Sequence, residues 1–240
     1  MEYLTAWYWN RGNFRAKNED SFSLQKVRIG GRQAAFLLVC DGIGGLPEGE
    51  TASGFVTEAM TEWFYREGIR LMGSAVWKKR AAAAAVSALA RSQEKLERCE
   101  REEGICCGTT CTMALVKGRD FALIHSGDSR AYRIGRKEQL LTRDHKRDGM
   151  LCRCIGAFGF EEPDVLFGRL RPGDLLVLCS DGFSRMLPEG FLISGLSGEE
   201  EKAGTYFKRL KGMGGFLMAQ GEKDNLTALA LRCCRKGGRG

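Results

Sequence analysis

The stretch Ala34–Ser53, AAFLLVCDGIGGLPEGETAS, constrains the fold most, because an apolar run drives into an acidic, glycine-rich turn and then a helical pattern. Phe36, Leu37, Leu38, Val39 and Cys40 show no polar alternation, which predicts a strand buried on both faces. Asp41 then stands at the strand's end. Gly42, Gly44 and Gly45 let the backbone come close to something small, a cation or a phosphate. Beyond Pro47, the residues Ala52, Phe55, Val56, Ala59, Met60 and Trp63 recur at helical spacing, so the turn joins a buried strand to an amphipathic helix.

The same grammar returns at Asp174–Gly182, where an apolar run ends in Asp181-Gly182, and Asp224 opens a late strand at Leu226. Carboxylates at strand ends converge in many folds despite their separation in sequence. A bare pair about 4 Å apart repels by roughly 4 kcal/mol at an effective dielectric of 20, so a divalent cation or a shared proton has to relieve them.

Elsewhere the apolar runs come in hairpin-linked groups. Leu4–Asn10 reads as a strand; Phe22–Val27 and Ala34–Cys40 read as neighbours that bring Arg15 and the carboxylates of Glu19 and Asp20 beside the Asp41 turn. Ser74–Glu103 is a long helical pattern. Strands follow at Gly108–Val116 and Phe121–Ile124, joined by Lys-Gly-Arg-Asp, then around the acidic turn His125–Ile134, and at Leu166–Leu170, Leu175–Cys179 and Leu226–Leu231. Phe183–Leu196 and Glu199–Leu217 read as helices, and Lys146–Phe160 has no firm pattern. Helices are clustered between groups of strands and do not alternate with them one by one, which predicts an α+β fold with two stacked sheets and helices outside.

The length of 240 residues and 43% hydrophobic content suit one large domain spanning 1–240, with a basic, glycine-rich tail from 233. No run of eighteen apolar residues and no leader pattern at Met1–Trp9 is present, so a cytoplasmic protein without a membrane span is expected. Ten cysteines without any CxxC read as reduced thiols, Cys40 and Cys179 among them as small core residues. The net charge of +7 is spread along the chain with no nucleic-acid motif beside it, and no nucleic-acid partner is expected.

In order, Arg15-x-x-Asn18-Glu19-Asp20-Ser21, Asp41-Gly42-x-Gly44-Gly45, Gly108-Thr109-Thr110, Gly127-Asp128-Ser129-Arg130, Leu141-Thr-x-Asp-His145, Ser180-Asp181-Gly182 and Asp224-Asn225 closely resemble the metal-dependent protein phosphatases of the PPM (type 2C) family, its compact bacterial members above all. The resemblance runs from about Thr5 to about Arg232 and implies a four-layer αββα sandwich of two mainly antiparallel sheets flanked by helices. It implies two manganese or magnesium ions, with Asp41 bridging them, the Gly42 carbonyl on one, Asp181 and Asp224 on the other, and Glu19 acting through metal-bound water. Asp128 resembles the residue that helps hold a weaker third ion, and Arg15 the phosphate-binding arginine; Arg11 is a candidate second phosphate contact for which a surface role is the simpler reading.

The residue types agree on their own account: hard oxygen donors suit Mg2+ and Mn2+, whereas zinc sites usually show His or Cys clusters. The two histidines, His125 and His145, are not in paired spacing and read as structural. The implied activity is hydrolysis of phosphoserine and phosphothreonine in protein substrates, opposed by a Ser/Thr kinase. The alternatives are a catalytically weak phosphoprotein-binding or regulatory module and a hydrolase of small phosphoesters. Two departures stand out: Ile43 occupies the place of a histidine assigned as general acid in some members, and the segment between His145 and Gly156 is much shorter than the family's mobile flap.

Overall fold

The computed structural model of the chain describes residues 1–46, 48–198 and 202–235. Ten strands form two five-stranded sheets. The first has the order β1 (Glu2–Asn10), β12 (Leu226–Cys234), β11 (Leu175–Cys179), β6 (Arg130–Ile134), β7 (Glu138–Leu140). The second has the order β10 (Asp164–Arg169), β5 (Asp120–Ser126), β4 (Cys111–Lys117), β3 (Arg32–Asp41), β2 (Asp20–Ile29). Every pairing within both sheets is antiparallel. A separate two-residue hairpin joins β8 (Lys146–Arg147) to β9 (Met150–Leu151).

The apolar run of β3 explains the layering. Leu37 and Val39 face Leu176, Leu178, Leu229 and Leu231 of the other sheet, while Phe36, Leu38 and Cys40 face helices. Those helices are α1 (Gly49–Trp63), which continues through a π-helical turn at Phe64–Gly68 into α2 (Ile69–Met72), and α3 (Trp77–Glu103). Phe36 stacks on Phe64 with ring centroids 5.0 Å apart. The strand is therefore buried on both faces, and each fully buried large apolar side chain contributes roughly 2 kcal/mol. On the far side, α4 (Asp181–Ser184), α5 (Phe191–Leu196) and α6 (Ala203–Ala219) cover the first sheet through Phe183, Leu192, Tyr206, Leu210 and Leu217. This is the αββα sandwich expected.

Local details differ from the sequence reading. Phe183–Leu196 is two short helices and not one, because Pro188 has no N–H to donate and disfavours helical backbone before it. The helix expected from Glu199 begins at Ala203; residues 199–201 lie outside the described residues. Cys233 and Cys234 belong to β12 and not to a tail, of which residues 236–240 lie outside the described residues. Cys40, Cys99, Cys106, Cys107, Cys111, Cys152, Cys154, Cys179 and Cys233 are free thiols, and no helix among the described residues is long and apolar enough to cross a membrane.

Candidate active site

Antiparallel pairing returns alternate strand ends to one edge. In the second sheet the register sets Asp20 opposite Asp41, Val39 opposite Thr112 and Cys111 opposite Ser126. In the first it sets Cys179 opposite both Arg130 and Ala228. Loops from both sheets therefore meet at a pocket of about 180 Å³ lined by Arg15, Asp41, Gly42, Ile43, Gly44, Thr110, Asp128, Leu151, Asp181 and Asp224. Of the residues expected from sequence, Glu19 lies just behind the lining, its Oε2 3.5 Å from the Arg15 guanidinium. Arg11 is exposed and donates to the Ala16 carbonyl at 3.3 Å, away from the pocket.

The motif residues brace one another. Asp41 N–H donates to Thr110 Oγ1 at 3.0 Å, and the Asp41 carbonyl accepts from Thr110 N–H at 2.8 Å and Thr109 Oγ1 at 3.0 Å. Both Asp-Gly pairs have glycine because backbone passes too close for a side chain. A Cβ on Gly42 would overlap the Gly49 carbonyl and stand 2.9 Å from the Glu19 carbonyl oxygen. One on Gly182 would overlap the Asn225 carbonyl. Buried Asn225 clips the Arg11–Glu19 loop to the start of β12: its Oδ1 accepts from Glu19 N–H at 2.8 Å, and its Nδ2 donates to the carbonyls of Arg11 at 2.8 Å and Lys17 at 3.0 Å. Asn225→Ala is expected to leave all three groups unpaired, lowering stability by about 3 kcal/mol in urea denaturation. Unchanged stability would mean that the loop holds itself.

The electrostatics are those of crowded acids. Burial pushes Asp41 well above the ordinary carboxylate value, and Asp20, Asp181, Asp128 and Asp224 push it further. Burial likewise raises Asp181, to about 6, with Asp128 adding to it. Three acids have basic partners: Arg15 grips Asp224 at 2.9 and 3.1 Å, Arg185 meets Asp181 at 3.0 Å, and Lys146 meets Asp128 at 2.6 Å. Among the described residues no basic side chain pairs with Asp41. No three Asp, Glu, His or Cys side chains among them close into a ready metal cage either, the carboxylates being turned to these bases. The donor set nevertheless fits hard divalent ions: oxygen ligands from separate strand ends around a half-buried acid that lacks a counter-charge.

This crowding has a pH signature. Asp20 is pushed up to about 7 by burial, and with Asp181 it holds a proton in the native chain that the unfolded chain has released. Stability present near pH 4 is therefore lost as pH rises through about 6 to 7. His125 acts oppositely: burial and His145 push it from 6.5 to about 4, so its contribution is lost as pH falls through that window. At about 1.4 kcal/mol per pH unit, the carboxylates outweigh the one histidine. Chelator-treated protein is expected to melt roughly 5 °C lower near pH 7.5 than near pH 5, with manganese closing the gap. A melting temperature that rises over this range without metal would contradict the assignment.

Sequence reading brought Asp20 beside the Asp41 turn without giving it a role, and it missed Arg185, Glu222 and Lys146 altogether. Asp20 is buried, accepts from Thr227 Oγ1 at 2.6 Å and has the strongest charge effect on Asp41; its place opposite Asp41 in the hairpin register was the available signal. Arg185 lies one helical turn after Asp181, a spacing that could have flagged it, and it also reaches Glu222, whose Oε1 accepts from Asp224 N–H at 3.0 Å. Lys146 carried no signal beyond following His145. The two histidines are structural as expected: His125 Nδ1 shares a hydrogen with Thr112 at 2.9 Å, and the rings stack 4.8 Å apart.

The chain is 30% identical over 210 residues to the serine/threonine protein phosphatase PstP of Mycobacterium tuberculosis, covering 78% of this chain but 37% of that protein, so it spans a little over a third of the relative's length. It is 24% identical over 254 residues to the serine/threonine phosphatase stp of Listeria innocua, covering 92% of each. The solved catalytic domain of PstP, in complex with two manganese ions, superposes with a TM-score of 0.73 at 25% identity, over 96% of this chain and 97% of that one. The family model of protein phosphatase 2C matches residues 15–211, the span that carries all but the last of the bracing motifs, and the chain belongs to that family.

Proposed function

We propose that the chain is a phosphoserine/phosphothreonine protein phosphatase that works with two divalent ions, manganese or magnesium, held by Asp41, the Gly42 carbonyl, Asp181 and Asp224, with Glu19 acting through water. The observation that carries this reading is that three aspartates from three distant strand ends line one pocket with Arg15. When bound, such ions acidify water for in-line attack and neutralise charge on the transferring phosphoryl group. Arg15 offers the planar fork that binds two oxygens at once, the use it already makes of the Asp224 carboxylate. The carboxylates of Asp20 and Glu222 act from behind, one beside Asp41 and the other fixing the Asp224 backbone. Ile43 and Leu151 wall the pocket with apolar atoms, and Ile43 has no proton to give a leaving group.

The naming of PstP and stp as serine/threonine phosphatases, and the manganese in the PstP structure, support this reading. Its substrates would be phosphorylated by an opposing Ser/Thr kinase, and the free thiols fit a reducing, cytoplasmic setting. The test is hydrolysis of a phosphothreonine peptide with manganese, with chelator, and against p-nitrophenyl phosphate. Metal-dependent turnover with at least roughly 10-fold higher kcat/KM for the peptide is expected, a preference of about 1.4 kcal/mol. Equal efficiency on both would make it a small-phosphoester hydrolase; peptide binding without turnover would make it a phosphoprotein-binding module.

A further inference from the structure

Asp128 was expected to help hold a third ion, yet it already has a cation. Lys146 Nζ stands 2.6 Å from Asp128 Oδ2, with side-chain exposures of 32% and 10%. The approach is fixed by two hydrogen bonds between residues 127 and 145, one backbone to backbone and one from backbone to the imidazole. His145 N–H donates to the Gly127 carbonyl at 2.8 Å, and Gly127 N–H donates to His145 Nδ1 at 3.0 Å. Residues 145 and 146 thus lie against residues 127 and 128, with the clamp at one position placing the ammonium on the carboxylate at the next. The His145 carbonyl also accepts from Cys152 N–H at 2.9 Å, closing the hairpin in which Lys146 pairs with Leu151, itself part of the pocket wall. The other nearby base, Arg130, is committed to Asp144 by bonds of 2.9 and 2.8 Å.

We propose that Lys146 is a built-in cation of this site: by occupying Asp128 it withholds that carboxylate from divalent ions and limits the pocket to two of them. The proposal rests on the two-ion reading above. A compact ammonium held in place by a clamped hairpin must be displaced before a divalent ion gains Asp128 as a ligand. The short segment after His145 thereby acts as a fixed edge of the site, supplying one permanent positive charge beside the place where a phosphoryl group binds.

The experiment is titration of the full chain with Mn2+ by calorimetry, with free Mn2+ counted by electron paramagnetic resonance and folding checked by circular dichroism. The wild type is expected to take up two equivalents. Lys146→Met and Lys146→Gln are expected to gain a further, weaker equivalent that disappears when Asp128→Asn is added, whereas Lys146→Arg keeps two. A third equivalent in the wild type, or two unchanged equivalents in folded Lys146→Met and Lys146→Gln, would overturn the proposal. Uptake of no Mn2+ by the wild type would overturn the two-ion reading itself and this proposal with it.

Discussion

Asp41→Asn is expected to abolish manganese-dependent hydrolysis of a phosphothreonine peptide, with kcat/KM falling on the order of 10³-fold or more, about 4 kcal/mol of transition-state stabilisation. Asparagine keeps the shape of the side chain, so Thr109 and Thr110, which bind only the Asp41 backbone, have no reason to move. The lost quantity is charge at the centre of the acid cluster. The same substitution removes a carboxylate that burial and four neighbouring acids already disfavour. The metal-free variant is therefore expected to melt higher than the metal-free wild type, while losing the stabilisation that manganese gives. A gain in stability coupled to a loss of activity separates a functional acid from a structural one. A variant that stays active, or one that is destabilised without metal, would move the catalytic centre elsewhere.

Gly182→Ala is expected to damage fold and function together. The added Cβ would overlap the Asn225 carbonyl and stand 2.9 Å from Asp224 Cβ, both of them parts of ordered structure and not flexible side-chain ends. Relief requires that the end of β11 and the start of β12 separate, which moves Asp181 from Asp224 and loosens the clip that Asn225 makes to the Glu19 loop. The expected cost is about 3 kcal/mol in chemical denaturation, with peptide hydrolysis reduced at least roughly 10-fold in the fraction that remains folded. Wild-type stability in Gly182→Ala would show that the contact relaxes easily.

Much of this was legible in the sequence because it depends on local pattern. The unbroken apolar run Phe36–Cys40 specified a strand covered on both faces, and hairpin-linked runs specified an antiparallel α+β arrangement, since neither inference needs to know which strand lies beside which. The gathering of Asp41, Asp181 and Asp224 followed from their positions at strand ends. What local pattern could not carry was pairing between distant charges. Asp20 is placed beside the Asp41 turn by the hairpin pattern, but its burial and its direct opposition to Asp41 show only in the register. Lys146 reads as surface charge until His145 is seen clamped to Gly127. Arg15 reads as a free phosphate ligand, whereas it grips Asp224. Pro188, inside the apolar pattern Phe183–Leu196, is the local signal that divides it into two helices.

Crystals grown with manganese and measured at its absorption edge test the central claim most directly. Two anomalous peaks inside the pocket, one between Asp41 and the Gly42 carbonyl and the other shared by Asp41, Asp181 and Asp224, are the predicted result. Manganese bound on another face of the molecule, or a pocket that stays free of manganese with Arg15 and Arg185 still on their aspartates, would contradict it.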